Sequence, residues 1–235
     1  MSCHSGPYNR GIITKGLVLY YDVNEPVCYS SGRTDIQDLS RNGNVGTLVN
    51  GVEYSANNSG SLVFDGSNDY VDCGNSYDNL FSAGISFCAW IKIPDYTKYQ
   101  RILNFHNQAN TDFDLFFQIS TTTGKIQSGT AASAQYRTGS TTVPTNTWSF
   151  VCATCSYTSD GFSVYYNGSL DNGVQTGGTP SYVADKGSLY LGRIVSASTS
   201  YYGTINLGNC FVYNRALSAS EIQQNFNAHR NRFGI

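Results

Sequence analysis

Hydrolysis of a glycosidic bond needs two carboxyl groups flanking it, one protonated and one ionised. The 235-residue chain carries 16 acidic side chains, but only three are glutamates, Glu25, Glu53 and Glu221, far apart in sequence. Asp112 and Asp114 form an i, i+2 pair that a strand would place on one face; a solvated strand start is the simpler reading of them. Cys152-Ala153-Thr154-Cys155 has the CxxC spacing of a metal site. It sits inside a strand pattern, however, where residues three apart point to opposite faces, and no second CxxC completes a zinc site. Cys88, Cys152, Cys155 and Cys210 read as small buried hydrophobes. The three histidines, His4, His106 and His229, are scattered and receive no catalytic role. Asp65, Asn68, Asp69 and Asp72 offer the oxygen ligands that calcium takes, against the simpler reading of carboxylates bracing a turn. Tyr96, Tyr99, Tyr201 and Tyr202 fall in loop-like stretches, where amphipathic rings serve a sugar or a protein partner.

The elements that must hold these groups are strands. Charged residues make up 13% of the chain, against about 25% in an average soluble protein, while Gly, Tyr and Phe reach 24, 18 and 12. Helical surfaces favour Glu, Lys, Arg and Ala; strands favour aromatic and β-branched residues. A net charge of −2 gives no electrostatic footprint for nucleic acid. No run of about 18 apolar residues is present, so no membrane span is expected. The opening residues lack the basic and apolar regions of a secretory signal. With an odd count of seven cysteines, the expectation is a reducing cytoplasm and free thiols.

Period-two alternation is clearest at Ile85, Phe87, Ala89, Ile91 and Ile93, which share one face. Further strands are expected at 17–22, 61–65, 70–73, 101–106, 114–120, 147–156, 162–166, 188–195 and 203–213. Asn167-Gly168 is a strong two-residue hairpin signal. Ser218-Ala219-Ser220-Glu221 is a capping box that opens a helix of about three turns, near residues 218–230. Residues 1–16 form a polar arm without a repeating apolar face.

The stretches GLVLYYD, GSLVFDGSNDYVD, ISFCAWIKI, the Tyr166-Asn167-Gly168 hairpin, LYLGR and VYNRALSASEIQQNFNAHRNRFGI together resemble the laminin-G-like group of concanavalin-A-like lectin/glucanase jelly rolls. The resemblance implies an all-β, antiparallel two-sheet jelly-roll β-sandwich with one short C-terminal helix: an arm over 1–16 and a single domain over 17–235. Glycosidases of this fold carry a Glu-x-Asp-x-x-Glu motif, which this chain lacks, so no enzyme and no cofactor are expected, calcium in a rim loop aside. The ending is also similar to endings common in proteins of marine tailed phages.

Two functions follow as expectations. The first is a virion structural protein, decorating the capsid or built into a tail or fibre. It would be made in the host cytoplasm without a signal peptide, form a homo-oligomer, and have capsid or tail proteins as partners. The second is a carbohydrate-binding module for host-surface glycans at Tyr96, Tyr99, Tyr201 and Tyr202. The arm offers only Pro7, Tyr8, Ile12 and Ile13 as apolar anchors, and ordering each residue costs about 1–2 kcal/mol. Those residues, with Arg230 and Arg232, are therefore the expected assembly contacts.

Overall fold

The computed structural model describes residues 11–57, 60–106, 115–130, 135–157, 161–180, 187–195 and 200–235. His4, Pro7, Tyr8, Asp112 and Asp114 lie outside them. The strands begin with β1 (Leu17–Asp22), β2 (Asp35–Ile36), β3 (Gly46–Val49), β4 (Glu53–Ser55), β5 (Ser61–Val63), β6 (Tyr70–Asp72) and β7 (Ile85–Lys92). Then come β8 (Gln100–His106), β9 (Leu115–Ile119), β10 (Lys125–Thr130), β11 (Gln135–Thr142), β12 (Ser149–Ser156) and β13 (Gly161–Tyr166). The last are β14 (Ser169–Leu170), β15 (Asn172–Thr176), β16 (Ser188–Leu191), β17 (Arg193–Val195), β18 (Ser200–Tyr202) and β19 (Asn206–Tyr213). Helix α1 (Ala219–His229) and a 3₁₀ turn (Arg230–Phe233) close the chain. No helix of the described residues is long and apolar enough to cross a membrane.

Two antiparallel sheets result. The first runs β14-β13-β12-β7-β19-β5-β4, with β1 also paired to β19; the second runs β15-β11-β10-β9-β8-β16-β6-β3-β2. Alternation decides what lies between them. Ile85, Phe87, Ala89 and Ile91 of β7 meet Phe105, Phe117, Leu189 and Leu191 of the second sheet in one apolar core. Asn167 and Gly168 both adopt positive φ, 47° and 81°, which is the geometry of the tight turn joining β13 to β14. The expected strand at 188–195 is broken at Gly192, whose φ of 82° turns the chain out of the sheet. Strands β10, β11 and β15 are rich in Thr, Ser, Gly and Gln and had no apolar alternation to announce them.

The free-thiol expectation needs correction. Cys88 and Cys152 are register partners on β7 and β12 and are joined by a disulfide. Neighbouring strands bring opposed side chains within a few ångström, so two cysteines in register can bridge although they are 64 residues apart in sequence. The CxxC pair does diverge, as its spacing predicts: Cys155 faces the inter-sheet core and Cys152 the opposite face.

That opposite face of the first sheet is apolar as well, and the C-terminal segment covers it. The Trp90 ring stacks on Phe233 at 4.3 Å and on Phe226 at 5.7 Å between centroids. Ile222 and Leu217 complete the layer. The capping box forms as expected, with Ser218 accepting from the Glu221 amide, and Arg215 grips Glu221 through two bonds of 2.7 Å. Residues 11–15 fold back onto the same layer rather than reaching outward. Ile12 is buried among the aromatics, the Ile13 amide donates to Asn225 Oδ1, and the Tyr213 hydroxyl donates to the Ile13 carbonyl. Arg232 is turned inward too: it pairs with buried Asp22 at 2.5 Å and donates to the Gly60 carbonyl. Arg230 is exposed and donates to the Ile235 carbonyl.

Truncating Phe226 to Ala removes a ring that packs on both Trp90 and Phe150. Equilibrium urea unfolding should show a loss of about 3–5 kcal/mol. The second expectation concerns acid. The Arg215 guanidinium holds the Glu221 carboxyl down to about 2. A carboxyl lowered on folding stabilises at all pH above its unfolded value, and that contribution is lost as pH falls from there through the folded value. The stability gap between wild type and Glu221→Gln should therefore be widest near neutrality and close as pH falls from about 4.5 toward about 2; a gap independent of pH would contradict it.

Candidate functional site

On the second sheet the core-facing positions alternate with outward ones. Leu189 and Leu191 point into the core, so Tyr190 between them points outward. Its register partner Asn104 does the same. The hairpin β17–β18 folds back over this outer face. Buried amides of β8 hold it there: Asn104 Oδ1 accepts from the Val195 amide at 3.0 Å. Gln100 Oε1 accepts from the Thr204 amide at 2.7 Å, while its Nε2 donates to the Asp95 carbonyl at 3.1 Å. Gln100 thereby ties the 95–99 loop to the end of the hairpin. Gly203 permits the close approach, because a Cβ there would lie 2.4 Å from the Arg101 nitrogen.

Between the hairpin and the 95–99 loop opens a cleft of about 430 Å³. Tyr99, Tyr201 and Tyr202 line it together with Lys98, Arg101, Gly66, Ser67, Thr121 and Ser200. Tyr99 and Tyr201 are 36% and 50% exposed, whereas Arg101 is only 9% exposed. The guanidinium carbon of Arg101 lies 4.4 Å from the Tyr99 ring centre and 5.3 Å from that of Tyr201. Burial pushes Arg101 down to about 10, which leaves it charged at neutral pH. Lys98 sits at the rim and donates to the Gly66 carbonyl at 3.0 Å. A second stack adjoins the cleft: Arg193 lies 3.7 Å from the Tyr70 ring centre and 3.9 Å from that of Tyr190. Tyr70 in turn is 6.4 Å from Tyr202.

Three of the four tyrosines singled out in the sequence thus meet in one place. Tyr96 does not join them: its hydroxyl donates to the Val143 carbonyl and its ring packs beside Gly124. Arg101 and Lys98 were missed, because a cation at a strand start carries no signal until a folded hairpin covers it. The alternation Tyr99-Gln100-Arg101 was the one available hint.

The acidic loop is a separate hollow of about 270 Å³, lined by Asn50, Gly51, Glu53, Val63, Asp65, Asn68 and Asp69. Asp65 accepts from the Ser67 and Asn68 amides, which holds its carboxyl below the usual range. Asp69 accepts from the Asp65 amide, and burial raises it. Asp72 lies apart on β6, accepting from the Gly74 amide. These carboxylates brace turns, and no group of three or more His, Cys, Asp or Glu among the described residues is arranged to hold a metal ion.

The fold is a lectin-like β-sandwich, and the aromatic cleft opens on one of its outer faces. Residues 65–223, well over half of the chain, match the family model described as the Concanavalin A-like lectin/glucanases superfamily, and the chain belongs to that family. No curated protein sequence matches it. Among solved structures, Trypanosoma rangeli sialidase in complex with sialic acid superposes with a TM-score of 0.64 at 18% identity, covering 94% of this chain and 34% of the sialidase. The receptor binding domain of botulinum neurotoxin C/D mosaic serotype gives 0.67 at 17% identity, covering 92% of this chain and 52% of the toxin domain. Domain 4 of AbnA, a GH43 extracellular arabinanase from Geobacillus stearothermophilus in complex with arabinotriose, gives 0.61 at 17% identity, covering 89% and 97%. The chain therefore spans about a third of the sialidase and half of the toxin domain, and the likeness is one of fold.

Gln100→Ala leaves the Thr204 amide and the Asp95 carbonyl without their side-chain partner. A lost buried partner costs about 1–3 kcal/mol, so hydrogen exchange at Thr204 should accelerate by about tenfold or more. Unchanged exchange would mean that the hairpin is held by other contacts.

Proposed function

We propose that this chain is a non-catalytic glycan-recognition domain that takes its ligand in the cleft between Tyr99, Tyr201 and Tyr202. The observation that carries the reading is the convergence of three part-exposed tyrosine rings on a concave site with polar groups between them. Such rings offer an apolar face to a sugar ring and a hydroxyl to its rim, at little cost in side-chain entropy. None of the described residues lining the cleft is Asp, Glu, His or Cys, so it holds no carboxylate pair for glycoside hydrolysis. Fold likeness to a sialidase bound to sialic acid, an arabinanase domain bound to arabinotriose and a toxin receptor-binding domain supports recognition of a saccharide or a receptor.

A virion structural role is a second reading that rests on the resemblance of the chain's ending to those of phage proteins. It is compatible with the first, since a glycan-binding domain can be displayed on a particle whose capsid or tail proteins are its partners. Of the assembly residues expected from the sequence, Ile12, Ile13 and Arg232 are engaged within the domain. An anchor in the arm would therefore have to use residues 1–10.

A glycan array followed by titration of the hits should show specific binding, weakened by at least about tenfold in Tyr201→Ala, as expected for a central aromatic anchor. A chelator should leave the affinity unchanged, since none of the described residues lining the cleft is a carboxylate. Binding that survives Tyr201→Ala, or that disappears with chelator, would move the site elsewhere.

A further inference from the structure

Arg101 is placed in a way that packing alone does not explain. Its side chain is nine-tenths buried, flanked by Tyr99 and Tyr201, and its Nε has no hydrogen-bond partner among the described residues. None of the described residues lining the cleft into which it faces is a carboxylate. Removing a charge from water without pairing it is costly, and the lowered affinity of Arg101 for its own proton reflects that cost. Guanidinium donors lie in the plane of the group, and aromatic faces commonly stack on guanidinium groups, which leaves the edge donors for a planar acceptor. A carboxylate is the acceptor whose two oxygens match that fork. Lys98 on the rim adds a second positive charge to the same opening.

We infer that the ligand is an acidic saccharide whose carboxylate seats on Arg101 while its ring lies against the tyrosines. The inference rests on the glycan-binding reading and names the class of sugar. Two kinds of sugar carry such a group: sialic acids, with the carboxylate on the anomeric carbon, and uronic acids, with it at the far end of the ring. A neutral sugar would cover the Arg101 guanidinium without offering its charge a counter-ion, so the site discriminates against it by that cost.

The test is calorimetric titration of the full chain with 3′-sialyllactose, trigalacturonic acid, lactose, lactose 3′-sulfate and the methyl esters of the two acids. At least one acid should bind at least about tenfold more tightly than its own ester, the ratio expected for one charge-assisted contact. The arm that binds identifies the position of the carboxylate. In Arg101→Gln the acid and the ester should bind alike. Because the ester comparison uses only the wild-type protein, it decides the matter even if that variant fails to fold. Equal binding of acid, ester and lactose, all lost in Tyr201→Ala, would overturn the acidic class and leave glycan recognition standing. No binding of any glycan on the array would overturn both. An acid preference that persists in Arg101→Gln would remove Arg101 from the site, and equal binding of the sulfate would replace a carboxylate receptor with a general anion site.

Discussion

The first sheet is apolar on both faces, and this constraint governs the rest of the chain. A strand such as β7, with Phe87 and Ile91 on one side and Trp90 on the other, would expose a wide hydrophobic surface if only the sandwich core were satisfied. Water exclusion from that second surface needs a cover, and the cover comes from the two ends of the described chain. Helix α1 and the 3₁₀ turn bring Phe226 and Phe233 onto Trp90, while Ile12 fills in from the other terminus. Polar anchors fix the register of the cover: Asp22 with Arg232, Asn225 with Ile13, and Glu221 with Arg215.

The second sheet solves the same problem with different chemistry. Its outer positions include Arg101, Asn104, Gln118 and Tyr190, all buried or nearly so. A hairpin held by side-chain amides covers part of this face, and the hydrogen bonds of Gln100 and Asn104 compensate for burying them. Arg101 Nε and Gln118 Oε1 are the atoms of that set left without such compensation among the described residues. A sheet face covered by apolar contact is sealed; one covered by polar bridges retains openings, and the cleft is one of them.

Much of this could be read from the sequence, for physical reasons that differ by element. The alternation at Ile85–Ile93, the Asn167-Gly168 turn and the capping box at Ser218 are local patterns whose meaning does not depend on the rest of the chain. The sandwich class followed from them and from the family resemblance. The strands at 125–142 were hidden because they carry Thr, Ser, Gly and Gln even on the core-facing side, where Ser128 and Thr130 stand opposite Phe117 and Leu115, so no apolar period marks them. The cysteine bridge was hidden because pairing between strands 64 residues apart depends on register, which no local pattern encodes. The tyrosines of the cleft stood out by type and loop position. Arg101 did not, since its significance comes from the hairpin laid over it.

The position of the two covers gives the domain a direction. Residues 11–13 and Ile235 both pack against the outer surface of the first sheet, whereas the cleft opens on the outer surface of the second. Any tether attached through either end of the described chain therefore leaves from one side of the molecule, and the tyrosines look out from the other. The domain is polar in the sense that both ends of the described chain lie on one face and the tyrosines open on the opposite one.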